Sequence, residues 1–158
     1  MCLVIDVNTI PSVFDPSSKG HDGFIPVLKW VTIGKGCIVY GGTKYRKELR
    51  LMWRYFRLFG QLSKQGRVID LPNPPIDRYA AQLKVKVPAN RFDDEHLVAI
   101  VATSRCRIVC TNDKAAHPYL QRKDLYPKHV KYPKIYSAAS HVKLCCDENI
   151  VDICRRRR

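Results

Sequence analysis

The sequence has no apolar run near the roughly 20 residues that a membrane-spanning helix requires, so we expect no membrane partner. It has no basic stretch before its first apolar segment, and Asp6 comes too early for a secretory signal. We therefore expect a cytoplasmic protein. Internal repeats and low-complexity segments are also missing. With 158 residues, 46% of them hydrophobic, the chain fits one compact domain with a buried core.

The seven cysteines lack the CxxC spacing that is typical of zinc sites and dithiol centres. Their number is odd, and Cys145 and Cys146 are neighbours whose side chains would point to opposite faces of a strand. We therefore expect buried or half-buried reduced thiols, and neither a disulfide framework nor a zinc site.

Acidic residues are scarce, with 14 Asp and Glu against 28 Lys and Arg, and the formal net charge is +14. Such a surplus favours a polyanionic partner, of which nucleic acid is the usual one. A solvated basic surface, or a patch that docks an acidic protein, stays open as an alternative. The basic residues are spread along the chain, which favours a broad phosphate-facing surface over a single basic tail.

Segments with strand and helix patterns alternate along the chain. Short apolar runs predict strands at residues 3–5, 38–40, 67–71 and 107–110, and helices are predicted over 8–14, 24–33 and 77–84. A stripe of apolar residues predicts one amphipathic helix that ends at Gly60: Tyr45, Leu49, Met52, Phe56 and Phe59. Asp93 and Asp94 open a further helix with an apolar interior. This alternation predicts an α/β fold with a central, mostly parallel sheet and helices on both faces.

Four acidic residues occupy positions that a parallel sheet would bring together. Asp6 and Asp113 each follow an apolar strand, Asp94 begins the apolar helix, and Glu48 lies near the amino end of the amphipathic helix. Sites in open α/β sheets form outside the carboxyl ends of strands. Clustered carboxylates repel one another, and oxygen-rich sites suit Mg²⁺ or Mn²⁺, which activate water for phosphodiester cleavage. The pattern therefore predicts a metal-dependent nuclease.

Each acid also has a structural interpretation, which the sequence leaves open. Asp93 or Asp94 is well placed to cap a helix, and Asp113 to cap the next one. Glu48 is equally consistent with a solvated helix face beside Lys44 and Lys47.

Four short motifs resemble those of PIN-domain ribonucleases, the fold used by VapC-type toxins. They are LVIDVN at residues 3–8, KELR at 47–50, DEHLVA at 94–99 and TNDK at 111–114. They occur in the family's order, and the resemblance covers roughly residues 3–121. It implies a PIN-like three-layer α/β/α fold, with a nuclease domain over residues 1–145 and a basic tail over 146–158.

The resemblance also implies roles for individual residues. Asp6, Glu48, Asp94 and Asp113 would bind Mg²⁺ or Mn²⁺ and activate water. The expected supporting residues are Asn8, Thr111 and Asp93, and the expected substrate-binding residues are Lys44, Tyr45 and Lys114. The implied partner is RNA, and members of the family are often homodimers and often neutralised by a cognate antitoxin.

Three other functions compete with a toxin ribonuclease. One is an RNA-processing or defence nuclease without an antitoxin, and another is a non-catalytic RNA-binding or protein-docking module on the same fold. The third is a metal-free ribonuclease that uses a pair of histidines as general acid and base. Its candidates are His21, His96, His117, His129 and His141.

Overall fold

The core of the protein is a five-stranded sheet in which all neighbouring strands are parallel, across the residues that the structure describes. The structure is a computed structural model, and it describes residues 2–87 and 92–155. The strands are β1 (Cys2–Ile5), β2 (Cys37–Gly41), β3 (Val68–Leu71), β4 (Ile108–Cys110) and β5 (Lys134–Tyr136). Because all are parallel, their carboxyl ends lie at one edge of the sheet.

Helices connect most of the strands. They are α1 (Ile10–Phe14), α2 (Ile25–Thr32), α3 (Thr43–Leu51), α4 (Trp53–Lys64), α5 (Asn73–Lys86), α6 (Glu95–Ser104), α7 (His117–Leu120) and α8 (Asp152–Arg155). Each residue of β1, β2 and β4 is buried. Successive strand residues point to opposite faces, so both faces of the sheet are covered. This α/β architecture confirms the predicted parallel sheet and is compatible with three layers.

The order of the strands places a crevice beside β1. The order is β3-β2-β1-β4-β5, so the chain builds outward from β1 to β3 and then returns to the other side of β1. The loops that follow β1 and β4 therefore leave in different directions. A crevice opens at such a switch point, outside the carboxyl ends of the strands.

The predicted amphipathic helix is wrong in its continuity and its end. Met52 has non-helical dihedrals (φ −103°, ψ 62°) and separates α3 from α4. The break resets the buried face of α4 to Tyr55, Phe59 and Leu62, and it leaves Phe56 44% exposed. The helix also continues past Gly60 to Lys64, because burial of Leu62 on the far side outweighs the roughly 1 kcal/mol cost of an interior glycine.

Two further elements differ from the prediction. The helix predicted over 77–84 is longer in the structure, where α5 begins at Asn73 and takes two prolines into its first turn. Proline is tolerated there because the first N–H groups of a helix have no partner inside it. Strand β5 was not predicted, since its three residues include Lys134 and only Tyr136 is buried.

The carboxyl-terminal segment folds back onto the amino-terminal strand. Asn149, Ile150 and Cys154 are buried, and Cys154 forms a disulfide with Cys2, at a Cα–Cα distance of 6.5 Å. For these two cysteines the expectation of reduced thiols is wrong, because spacing in the sequence does not reveal a contact across 152 positions. Residues 156–158 of the predicted basic tail lie outside the described residues.

Within residues 2–87 and 92–155, no helix combines the length and apolar character needed to cross a membrane.

We predict that Tyr45→Phe lowers the free energy of unfolding by about 1–2 kcal/mol. The Tyr45 hydroxyl donates a 2.6 Å hydrogen bond to the carbonyl oxygen of Ile5, and the side chain is fully buried. Tyr40→Phe is the matched control, because its hydroxyl donates to the exposed Asp70, and we expect a change within about 0.5 kcal/mol. Urea unfolding of the three proteins measures both differences. Equal stability of Tyr45→Phe and the parent would contradict the role assigned to this bond.

Candidate functional site

Asp6 is anchored at the switch point by the strand beside its own. Ile5 and Cys110, the last residues of β1 and β4, are paired, so Asp6 and Thr111 follow at the same level of the sheet. The Thr111 hydroxyl donates to Asp6 Oδ2 at 2.8 Å, and the backbone N–H of Asn8 donates to Asp6 Oδ1 at 3.1 Å. The Asp6 side chain is thereby fixed in a site that leaves the residue only 4% exposed.

Asp113 lies at the rim of the same crevice. Its backbone N–H donates to Thr111 Oγ1 at 3.0 Å, and its Oδ1 accepts from the backbone N–H of Ala115 at 2.8 Å. Its charge is near enough to help raise the pKa of Asp6. Asp113 therefore stabilises a turn and also adds negative charge to the site, so its structural and functional interpretations are compatible.

Asp94 is the second carboxylate inside the crevice. It immediately precedes α6, but its side chain makes no capping hydrogen bond, so helix capping does not explain it. Burial, and next the charge of Asp6, raise its pKa from 3.8 to about 6. Burial likewise raises the pKa of Asp6, although the hydrogen bonds from Thr111 and Asn8 oppose that effect. Two carboxylates therefore lie close together with poor solvation.

Glu48 differs from these two aspartates because it has neighbours that favour its charged form. Glu48 Oε2 lies 3.5 Å from His96 Nε2. Burial alone would raise the pKa of Glu48, but His96 and the ammonium of Lys44 outweigh burial, and the net pKa is lowered. The structure thus brings Glu48 to the site, with much of its charge already compensated.

His96 lies beside Glu48, at the site of the acids. It is 2% exposed, and its ring packs on that of Tyr45 with centroids 6.2 Å apart. His21 Nδ1 instead lies 3.0 Å from the carbonyl oxygen of Ser12, and His141 Nδ1 accepts from the backbone N–H of Ser137. His21, His96 and His141 are therefore held by separate contacts.

Glu95, for which no role was predicted from the sequence, forms ion pairs with two lysines at the site. Glu95 is 4% exposed, and its carboxylate lies 3.2 Å from Lys84 Nζ and 3.7 Å from Lys44 Nζ. Lys44 also donates to the backbone oxygen of Asp93. The lysine partners of Glu95 come from two other helices, so the sequence alone could not show the pairing. The one indication in the sequence was an acid at the start of a helix with an apolar interior.

The predicted supporting and substrate-binding residues differ in their exposure and in their contacts. Thr111 supports an acid, as expected. Asn8 does so through its backbone N–H, while the residue itself is exposed. Asp93 and Lys114 are exposed. Tyr45 is fully buried and its hydroxyl is bonded to Ile5, so it offers no surface to a substrate, and its assignment as a substrate-binding residue is corrected.

Within the described parts of the chain, no group of three or more His, Cys, Asp or Glu side chains is arranged to hold a metal ion. Mg²⁺, however, commonly binds through one or two carboxylates and completes its shell with water and substrate phosphate. Asp6 and Asp94 fit that donor set, because they are oxygen ligands whose mutual repulsion a cation would relieve.

Comparisons of the chain with protein-family models, with curated proteins and with solved structures gave no match. The resemblance to PIN-domain ribonucleases therefore stays a prediction from the four motifs.

We predict that Asp94→Asn stabilises the metal-free protein at neutral pH by about 1–2 kcal/mol, a figure reduced for partial exposure of the carboxyl group. Because the folded protein raises the pKa of Asp94 from 3.8 to about 6, wild type loses stability as the pH rises through that interval. The gain of the variant should disappear at a pH below 3.8.

Urea unfolding in EDTA across this pH range measures the difference. Asp22→Asn, which changes an exposed aspartate, is the control and should follow wild type throughout. An Asp94→Asn protein that is less stable than wild type at neutral pH would show that the carboxylate is a structural anchor.

Proposed function

We propose that this protein is an Mg²⁺- or Mn²⁺-dependent ribonuclease with a PIN-like fold, and that Asp6 and Asp94 hold the metal. The observation that carries the proposal is the pair of aspartates at the switch point. Their charges disfavour one another, as the raised pKa of Asp94 indicates. A strongly perturbed carboxylate in a crevice, beside a second one, is typical of functional sites.

Holding these two carboxylates together lowers the stability of the folded protein, which supports a role beyond folding. Thr111 and the Asn8 N–H orient the Asp6 carboxylate and partly offset the rise of its pKa that burial causes, whereas Asp94 has no hydrogen bond that would explain its position as a cap. Natural proteins break the rules of stability mostly at functional sites. A bound cation would convert the repulsion into ligation.

The two aspartates and the residues around them would have different roles in RNA hydrolysis. Asp6 and Asp94 would hold the metal, which when bound supplies a water nucleophile and stabilises charge on the phosphodiester. Asp113, at the rim, would orient a water molecule. Lys44, held by Glu95 and by the Asp93 carbonyl, would contact a phosphate oxygen.

RNA is the proposed substrate because of charge as well as motif. The net charge of +14 gives the protein a strong attraction for a phosphate backbone, and Lys44 and Lys84 place positive charge next to the acids. A type II toxin with a cognate antitoxin, acting as a homodimer, is the biological role that the motifs favour. An RNA-processing or defence nuclease uses the same site chemistry.

One observation favours a second candidate, a non-catalytic RNA-binding module. Glu48 and Glu95 are both compensated by basic neighbours, and the described residues contain no group of three metal-binding side chains. Such a protein would bind RNA through its lysines without cutting it. The cleavage experiment below separates the two functions.

We predict that the protein cleaves labelled single-stranded RNA in Mg²⁺ or Mn²⁺ and not in EDTA. Asp94→Asn and Asp6→Asn should each lower the rate by about a hundredfold or more, because a metal supplies several kcal/mol of transition-state stabilisation. Asp22→Asn should cleave at the parent rate. Equal cleavage by the parent and Asp94→Asn in EDTA would remove the metal mechanism, and binding without cleavage would favour the RNA-binding module.

Mg²⁺ should also stabilise the folded protein when no RNA is present. At about 100 times its dissociation constant, a ligand that binds only the folded state raises the unfolding free energy by about 2.7 kcal/mol. We expect wild type and Asp22→Asn to gain stability in this way and Asp94→Asn to gain little. Thermal unfolding against Mg²⁺ concentration measures the effect, and identical curves for all three proteins would argue against a metal at Asp94.

A further inference from the structure

Helix α4 begins with large side chains that the fold leaves uncovered. Trp53 is 65% exposed and Phe56 is 44% exposed. They are three positions apart on one helix and therefore share a face, and Arg57 lies one turn beyond Trp53. The same helix buries Tyr55, Phe59 and Leu62 on its other side, so these two exposed rings are not needed for the core.

Two arginines of α4 lie over aromatic rings, one over the exposed Trp53 and one over the buried Tyr55. The guanidinium carbon of Arg57 lies 5.9 Å from the centre of the Trp53 ring, and that of Arg54 lies 5.7 Å from the centre of the Tyr55 ring. A groove of about 480 Å³ runs beside them, and Trp53, Arg54 and Arg57 contribute to its walls. We call Arg50, Trp53, Arg54, Phe56 and Arg57 the aromatic ridge.

The charge of α3 and α4 indicates which kind of molecule could bind the aromatic ridge. Residues 43–64 contain one acid, Glu48, and seven basic residues. Lys44, Arg46 and Arg54 pair with acids of other elements. The remaining basic residues are Lys47, Arg50, Arg57 and Lys64. A second copy of this basic surface would repel the first. A polyanion with flat apolar groups is complementary to it, and single-stranded nucleic acid has that chemistry, since bases stack on aromatic rings while arginine and lysine contact the phosphates.

The ridge continues directly from the helix that carries part of the candidate site. Helix α3 carries Lys44 and Glu48 to the crevice, and Leu51, one helical turn beyond Glu48, is its last residue. Only Met52 separates α3 from α4. A strand of RNA that leaves the crevice along α3 and α4 would therefore meet Trp53 first and Phe56 one turn later.

We propose that the aromatic ridge is a stacking site for unpaired bases of a single-stranded RNA. This inference rests on the proposed function for its substrate class, and it adds where the bases bind and why the RNA must be unpaired. A duplex keeps its bases stacked on one another, so the rings of Trp53 and Phe56 cannot take them.

The test measures RNA binding in EDTA, where metal-dependent cleavage does not interfere. The probes are a fluorescently labelled oligouridine and an RNA duplex of equal length, followed by anisotropy. We expect Trp53→Ala and Phe56→Ala each to weaken binding of oligouridine about tenfold, as the loss of one stacked base predicts. Trp53→Tyr, which keeps a ring, should retain most of the affinity, and binding of the duplex should change little.

Leu51→Ala is the matched control, because Leu51 is 79% exposed, lies two positions before Trp53 and has no ring. It should bind oligouridine as the parent does. The proposal is overturned if Trp53→Ala binds oligouridine like the parent, or if Leu51→Ala weakens binding as much as Trp53→Ala. It is also overturned if the protein self-associates in sedimentation and Trp53→Ala abolishes that association, which would make the ridge a protein interface.

The two proposals fail separately. If Trp53→Ala binds oligouridine like the parent and Mg²⁺-dependent cleavage is intact, only the proposal for the ridge is overturned. Ridge-dependent binding by a protein that never cleaves RNA would remove only the catalytic function.

Discussion

The hydrogen bond from Thr111 to Asp6 is the contact on which the candidate site depends. It joins the ends of two neighbouring parallel strands at the place where the chain changes direction across the sheet. A buried carboxylate is costly unless it receives hydrogen bonds, and this bond, with that from the Asn8 N–H, offsets part of the cost for Asp6. The negative charge fixed in this way then sets the environment of Asp94.

The acids of the crevice differ in how far basic neighbours compensate their charge. Asp6 and Asp94 are poorly compensated, Glu48 has His96 and Lys44, and Glu95 has two lysines. Three of the four acids expected from the sequence, Asp6, Asp94 and Glu48, are thus unequal in electrostatic terms. The crevice combines a poorly compensated pair of carboxylates with compensated ones, and for this reason Asp6 and Asp94 are the metal ligands that we propose.

Local sequence patterns were sufficient to predict four of the five described strands and the approach of the acids to their carboxyl ends. Buried strands such as β1 are short apolar runs, and Asp6 marks the end of one of them, so its place at the carboxyl edge followed from the pattern. Helix α6 was equally clear, since its interior is apolar on all sides. Strand β5 could not be predicted, because its alternation is short and includes a lysine.

Other features depend on contacts between distant parts of the chain. The break at Met52 shifts the phase of the apolar stripe, and a continuous periodic pattern conceals such a shift. The burial of Tyr45 and the pairing of Glu95 with Lys84 depend on how α3, α5 and α6 pack. Propensity and periodicity describe one segment at a time, so they carry no information on these pairings.

The disulfide between Cys2 and Cys154 gives the described chain the topology of a closed ring, since it links positions 152 apart. A single proteolytic cut in an exposed loop would then leave one covalently connected molecule. The unfolded ring is also smaller than a linear chain of the same length, and it has less conformational entropy to lose on refolding. Under oxidising conditions, the sheet is thus held from its first strand to its last helix by a covalent tie.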